Sequence, residues 1–276
     1  TAQWINQFIT DDDRKINAEF IDDTKQLLAG HIIELKFSHR FNSQGAIGKV
    51  SRAVIDGKVE EAKALIEHAQ GTNVIVDRTY DPGLLENFVA GYAAFINEPD
   101  INLALKKLNQ LRVLVAVRQG PRGLYAINKA IELQLRKKGL IKPDDEFYEN
   151  RPIMITRNMY DLGLLNGDTG IMRKDASGNM KVWFEDGQGG IKSVLPAYLN
   201  YSETAFAMTI HKSQGSEYKH AVVVLPTGRS RLLTRELLYT GVSRAREQLT
   251  VVASEAALRT AVSTVITRAS GLADRL

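Results

Sequence analysis

The sequence contains no cysteine, which excludes disulfide bonds, thiolate metal sites and cysteine nucleophiles. No apolar run approaches the roughly 20 residues that a transmembrane helix needs. The first residues, Thr1 to Trp4, do not open a signal peptide, because no basic region followed by an apolar stretch begins there. The five histidines lie at no metal-ligand spacing. We therefore expect a cytoplasmic protein without a membrane segment or a metal site.

The sequence also lacks the phosphate-binding loop G-x-x-x-x-G-K-[ST]. Gly48-Lys49 has neither the upstream glycine at that spacing nor the following Ser or Thr. No Asp-Glu pair ends an apolar strand, as a magnesium-binding Walker B segment would. A dinucleotide fingerprint is missing too, which leaves a metabolic α/β enzyme without support.

The charge is unevenly distributed along an otherwise ordinary globular composition of 276 residues, with a net charge of +4. Five arginines stand against one acid, Glu236, near the C-terminal end; they are Arg229, Arg231, Arg235, Arg244 and Arg246. Such a run is either a solvated charged face or a surface that binds phosphate.

Apolar runs typical of strands alternate with helical patterns, which favours a parallel sheet flanked by helices. The predicted strands cover residues 32–35, 73–76, 113–117, 205–210, 221–225 and 249–253. The predicted helices cover residues 41–54, 59–69, 81–97, 122–138, 234–245 and 255–268. Residues 1–30 are interpreted as a helical extension.

Residues 151–200 differ, because four short strands there are separated by turn sequences such as Asn166-Gly167-Asp168. This pattern predicts a small antiparallel barrel or meander, inserted between two parts of one α/β domain at 31–150 and 201–276. Trp183 and Phe184 could stack on bases there, but the size of the module favours a core position for Trp183.

The most informative segment is Ala207 to Glu217, where an apolar strand ends in polar side chains and a glycine that we expect to open a helix. Thr209, His211, Lys212 and Gln214 could each bind phosphate at such a strand end. A polar turn without a ligand is the alternative.

This segment, T-x-H-K-x-Q-G-x-E, resembles motif V of superfamily 1 helicases. Residues 238–246, LYTGVSRAR, resemble motif VI, and residues 35–41, LKFSHRF, resemble motif IV, in the order that the family has. Other segments are similar to the exodeoxyribonuclease V alpha-subunit family; they are residues 45–48, 118–123, 151–158, 165–168 and 269–272.

The resemblance implies the second RecA-like motor domain of the P-loop NTPase fold, carrying an inserted SH3-like β-barrel. It implies an ATP-dependent 5′-to-3′ DNA helicase subunit that acts in double-strand-break repair and recombination in the bacterial cytoplasm. Single-stranded DNA and the beta and gamma subunits of the complex would be its partners. ATP and Mg²⁺ would be bound by the intact protein, but not by this chain alone, because the phosphate-binding half is missing.

Five residues are implied at the nucleotide. Arg244 would be an arginine finger and Arg40 a second γ-phosphate sensor, whereas the alternative for each is a structural or surface arginine. His39, where many relatives have tyrosine, would stack on adenine. Gly215 and Glu217 would contact the nucleotide, with Glu217 at the ribose, unless Glu217 only interacts with a helix dipole.

The same resemblance places Thr209, His211, Lys212 and Gln214 on the DNA strand. The alternative function is a helicase-derived module that binds nucleic acid or protein without catalysis.

Overall fold

A computed structural model of the chain describes residues 6–9, 45–67, 73–78, 82–228 and 230–266. The chain divides into two compact units, one made of Thr1–His39 with Thr267–Leu276 and the other of Arg40–Ile266. Only residues 6–9 of the first unit are described. The rest of the predicted helical extension, the strand predicted at 32–35, and both His39 and Arg40 therefore lie outside the described residues.

The second unit contains ten strands within its described residues. They are β1 (Val74–Asp77), β2 (Leu111–Val115), β3 (Pro152–Ile155), β4 (Thr169–Lys174), β5 (Met180–Glu185), β6 (Ile191–Val194), β7 (Ser202–Thr204), β8 (Ala207–Thr209), β9 (Tyr218–Val224) and β10 (Ala245–Val252). The helices are α1 (Ala46–Ile55), α2 (Val59–Glu67), α3 (Pro82–Ile96), α4 (Ile101–Leu108), α5 (Leu124–Lys137), α6 (Arg235–Val242) and α7 (Glu255–Ser263).

Five strands form a parallel sheet in the order β1-β10-β9-β2-β8. Successive side chains point to opposite faces of a strand, and on β9 Val223 packs into one core cluster while Val222 and Val224 pack into another. Helices α1, α2, α6 and α7 cover the first face, and α3, α4 and α5 cover the second. Because both faces are buried, the centre of such a strand is apolar in sequence, as it is from Ala221 to Val224 in β9. The predicted parallel sheet with flanking helices is confirmed.

The other five strands form an antiparallel sheet in the order β6-β5-β4-β3-β7. One face holds a small core that includes Ile153, Met172 and Phe184. β6 and β7 are the two edges of this sheet and do not pair with each other. Of the barrel or meander that the sequence predicts, the paired strands therefore do not form a closed ring. β7 carries the antiparallel sheet past residue 200, where the sequence had placed its end.

The opposite face of the antiparallel sheet rests on the α/β part of the unit, because Ile171 belongs to the core cluster of α3, α4 and α5. Arg173, which is 8% exposed, donates hydrogen bonds to the carbonyl oxygens of Phe95, Ile96 and Glu98 at the end of α3. The predicted core position of Trp183 is wrong. Its ring is half-buried, and its indole N–H donates to the carbonyl oxygen of Arg173 at 3.1 Å.

Two predicted helices differ from the structure around the site. The chain does not become helical after Gly215, whose φ of +90° turns it directly into β9. The helix predicted at 234–245 ends at Val242, and β10 begins at Ala245. Arg244 therefore lies in the turn between α6 and β10.

Candidate functional site

The segment that follows β8 is held by its own buried residues. The side-chain oxygen of Thr209 accepts a hydrogen bond from the backbone N–H of Lys212 at 3.4 Å and so caps a short 3-10 helix, Ile210–Ser213. Ile210 lies in the core, and the buried hydroxyl of Ser213 donates to the carbonyl oxygen of Ile210 at 2.7 Å. With these residues turned inward, His211 is exposed at the surface.

Four residues of this segment were predicted to contact the DNA strand. Two of them, His211 and Gln214, are exposed. Thr209 is only 8% exposed, and its hydroxyl caps the 3-10 helix. Lys212 has protein partners as well. Its ammonium group donates to the carbonyl oxygen of Thr156 at 3.4 Å and to the side-chain oxygen of Asn166. The lysine thus ties this segment to the antiparallel sheet.

A polar pocket of about 230 Å³ lies at this junction. Its lining residues come from the segment after β8, from the antiparallel sheet and from the start of β2 and β9; they are Asn109, Gly167, Thr169, Met208, Lys212, Ser216, Glu217 and Tyr218. The ammonium group of Lys212 and the carboxylate of Glu217 both line it, so the pocket has no single charge sign.

Arg244 is 4% exposed, and its guanidinium group is turned into the protein. Its Nε donates to the carbonyl oxygen of Thr240 at 3.0 Å, Nη1 to that of Ser216 at 3.1 Å, and Nη2 to the hydroxyl of Ser243 at 3.0 Å. The backbone N–H of Tyr218 in turn donates to the carbonyl oxygen of Arg244 at 2.9 Å. The motif VI-like arginine and the motif V-like segment are therefore directly bonded to each other.

Gly215 and Glu217 lie on either side of the Ser216 carbonyl that receives Arg244. The positive φ of Gly215 is a conformation that glycine adopts without the steric cost of a Cβ atom. The carboxylate of Glu217 lies 3.9 Å from Nε of Arg246, and both side chains are exposed to solvent. An exposed pair of this kind contributes only about 0–1 kcal/mol, so it can open at little cost.

The structure adds a residue to which the sequence patterns gave no role. Arg118 follows β2 at the same edge of the parallel sheet; it pairs with the carboxylate of Glu203 at 2.6 Å and donates to the Tyr125 hydroxyl at 2.9 Å. The hydrogen bond to Tyr125 raises the pKa of Arg118 most, and the hydrogen bond to Glu203 raises it further. The rule that α/β sites form at strand carboxyl ends would have pointed to this loop.

Among the described residues, none of the helices combines the length and apolar character of a membrane span. Over the same residues, His, Asp and Glu side chains form no group of three or more that could hold a metal ion.

Comparison with known proteins finds similarity over nearly the whole chain. Residues 204–252, which include both the segment after β8 and Arg244, match the UvrD-like helicase C-terminal domain. The RecBCD enzyme subunit RecD of Mycolicibacterium smegmatis is 37% identical over 89% of this chain and 44% of that protein. The RecD subunit of Haemophilus influenzae is 35% identical over 87% of this chain and 40% of that protein.

The chain thus spans about two fifths of the length of these relatives. Among solved structures, the Pif1 helicase from Bacteroides in complex with ADP-AlF3 and ssDNA is 14% identical, with a TM-score of 0.44, over 89% of this chain and 56% of that chain. This similarity is too weak to support an argument about the chain, and its fold is described by its own strand order.

Proposed function

We propose that the chain belongs to the RecD family and is the C-terminal motor domain of an ATP-dependent 5′-to-3′ DNA helicase subunit of a RecBCD (exodeoxyribonuclease V) complex. The observation that carries the proposal is the 3.1 Å hydrogen bond from Arg244 to the carbonyl oxygen of Ser216. It joins the arginine suited to phosphate with the segment that exposes His211 and Gln214. ATP-driven movement along DNA needs such a connection between the nucleotide and the strand.

Arg244 acts in this proposal as the arginine finger. A guanidinium group is planar and permanently charged, so it can donate two hydrogen bonds to phosphate oxygens as negative charge redistributes during hydrolysis. Thr240, Ser216 and Ser243 each offer it an uncharged acceptor oxygen. A phosphate oxygen is a stronger acceptor than any of them, so the side chain can exchange these partners for nucleotide.

The other nucleotide contacts are proposed from the resemblance. Arg40 is the second γ-phosphate sensor and His39 the residue at adenine. Gly215 lets the backbone approach the nucleotide closely, and Glu217 reaches the ribose once its weak pair with Arg246 opens. In the intact protein, ATP supplies the phosphoryl group and Mg²⁺ acts as its counterion. This chain has no phosphate-binding loop, so we propose that it binds neither of them alone and is inactive by itself.

His211 and Gln214 are the proposed direct contacts to single-stranded DNA, because their side chains are exposed. Thr209 keeps the segment in place through its cap, and Lys212 reaches DNA only by giving up Asn166. We propose that the antiparallel sheet is the inserted SH3-like module, and that the beta and gamma subunits of the complex are partners of this chain in the bacterial cytoplasm. The similarity to RecD subunits favours this motor function over the alternative, a binding module without catalysis.

The test is the DNA-stimulated ATPase of the full-length subunit. Arg244→Ala should lower turnover by about 10³-fold and change nucleotide affinity much less, because a finger acts on charge that develops in the transition state. Arg244→Lys should not restore turnover, since an ammonium group lacks the two-pronged geometry. The matched control is Arg136→Ala, an exposed arginine on α5 paired with Asp144.

If Arg244→Ala keeps full ATPase activity and loses only DNA binding, Arg244 is not at the nucleotide. The arginine cluster around it would then be a surface for the phosphate backbone.

A further inference from the structure

The antiparallel sheet carries an arginine stacked on an exposed tyrosine. The guanidinium carbon of Arg157 lies 4.9 Å from the ring centroid of Tyr201, and Tyr201 is 46% exposed. The backbone fixes the pair, because the N–H of Thr156 donates to the carbonyl oxygen of Tyr201 at 2.8 Å where β3 ends. Both side chains therefore present a fixed cation and ring to solvent.

Arg157 differs from the other arginines of this region in its electrostatic partners. Arg118 is neutralised by Glu203, and Arg173 is buried against carbonyl oxygens at the end of α3. Over the described part of the chain, no carboxylate pairs with the exposed Arg157. A cation held in place without an acid is available to an anionic ligand.

The pair adjoins the segment after β8. The carbonyl oxygen of Thr156 accepts from the ammonium group of Lys212, and the N–H of the same residue bonds to Tyr201. One residue, Thr156, therefore connects the Arg157–Tyr201 pair to Lys212, the neighbour of the exposed His211.

The stability of the sheet does not account for an exposed pair of this kind. The core of the sheet is made of other residues, Phe184 among them at 1% exposure, and an exposed cation–π contact contributes only about 0.5–1 kcal/mol. Trp183 on β5 is half-buried, and its indole N–H donates to the carbonyl oxygen of Arg173. Tyr201 is exposed, and its carbonyl oxygen is bonded to Thr156, the residue that also bonds to Lys212.

We infer that Tyr201 and Arg157 form a base-stacking subsite for single-stranded DNA, in which the ring stacks on a base and the guanidinium group pairs with a neighbouring phosphate. Aromatic rings beside basic groups bind single strands in this way without sequence preference. The inference rests on the proposed function and adds to it a contact on the antiparallel sheet, outside the helicase motifs.

The experiment compares two oligonucleotides of equal length, oligo(dT) and an abasic strand, by fluorescence anisotropy with the full-length subunit. Tyr201→Ala should weaken oligo(dT) binding by about 5- to 100-fold, since stacking contributes that much per base. It should leave binding of the abasic strand unchanged. The matched control is Phe147→Ala, since Phe147 is equally exposed at 46% and lies outside the antiparallel sheet.

Arg157→Ala should weaken binding of both strands and lower the slope of log K against log salt by about 0.7, the amount expected for one phosphate contact on a single strand. Arg157→Lys should keep that slope. Three results would overturn the inference: equal losses on both strands for Tyr201→Ala, a Tyr201→Ala variant that behaves like Phe147→Ala, or loss of partner subunits from the purified complex with DNA affinity unchanged.

The two proposals fail in different ways. If the wild-type subunit binds oligo(dT) and its ATPase is stimulated, but Tyr201→Ala behaves like Phe147→Ala, only the subsite is refuted. If the wild-type subunit shows neither binding nor stimulation, the proposed function fails and the subsite fails with it.

Discussion

Replacing Arg173 by methionine should detach the antiparallel sheet from the α/β part of the chain. The guanidinium group donates to the carbonyl oxygens of Phe95, at 2.7 Å, Ile96, at 3.2 Å, and Glu98, and to the side-chain oxygen of Asn150 at 2.8 Å. The last carbonyls of a helix have no partner within the helix. Arg173 supplies such a partner from another sheet, and methionine keeps an unbranched side chain but none of the donors.

The size of the effect follows from these bonds. Hydrogen bonds to a charged donor contribute about 1.5–3 kcal/mol each, but such contributions are not additive. Desolvation by burial, which also lowers the pKa of Arg173, offsets part of the gain. We expect the free energy of unfolding to fall by about 3 kcal/mol, which at an m-value near 3 kcal/mol per molar moves the urea midpoint by about 1 M.

Two probes of the same urea titration distinguish detachment from general destabilisation. The chain has two tryptophans, Trp4 and Trp183, so in a Trp4→Phe background the fluorescence reports on Trp183 in the antiparallel sheet. Far-UV circular dichroism reports mostly on helices, and α1 to α7 all lie in the α/β part. In Arg173→Met the fluorescence transition should precede the dichroism transition, whereas in the parent chain the two should coincide.

Arg136→Met is the control, because Arg136 is exposed on α5 and its 3.4 Å pair with Asp144 is at the surface. If Arg173→Met shifts the midpoint no more than this control and leaves the two transitions coincident, the carbonyl contacts do not hold the sheet in place.

Three further predictions follow from the site and from one buried histidine. The isolated chain should hydrolyse no ATP, because most of the charge stabilisation for phosphoryl transfer is missing; DNA-stimulated phosphate release by the purified chain would contradict this. His211→Ala in the full-length subunit should leave basal ATPase and shrink its stimulation by single strands, and unchanged stimulation would remove His211 from the strand contacts. Burial lowers the pKa of His220 to about 4, whereas the value in the unfolded chain is near 6.5. The neutral His220 therefore contributes to the free energy of unfolding above pH 6.5, and this contribution is lost as the pH falls toward 4. The loss amounts to about 3 kcal/mol in all. His220→Gln should flatten that part of the stability curve, measured by urea titration at several pH values; an unflattened curve would assign the loss to other groups.

Elements with a strong local signal were predictable from the sequence. Val113, Leu114 and Val115 of β2 form an apolar run because both faces of the strand are buried. Helix α4 was missed, although Asp100 caps it by accepting the N–H of Leu103 at 2.8 Å. The helix has only eight residues, two of them lysines, and this segment is too short for a helical pattern of apolar residues to stand out. β7 was missed because a three-residue strand depends on its pairing with β3.

At the site, the sequence predicted which segments matter but not which way their side chains point. The acceptor of Arg244, the Ser216 carbonyl, comes from a segment 28 residues away, and the partners of Lys212 come from another sheet. Such contacts are set by tertiary packing, on which local patterns carry no information. A glycine before a polar run also predicted a helix at Glu217, where the pairing of Tyr218 with Ala245 starts a strand instead.

The segment between β8 and β9 has little freedom to move one of its contacts without disturbing the others. Thr209 caps its start, Lys212 bonds to the antiparallel sheet, and Ser216 accepts from Arg244. If Arg244 turns toward a γ-phosphate, as proposed, Ser216 loses a charged donor at the end of a loop only eight residues long. The loop then rearranges where His211 and Gln214 are exposed, and where Lys212 is bonded to the sheet that carries Tyr201. In this proposal, nucleotide binding at one end of the loop is linked to strand contact along its length through the Ser216 carbonyl and through the side chains of Thr209 and Lys212.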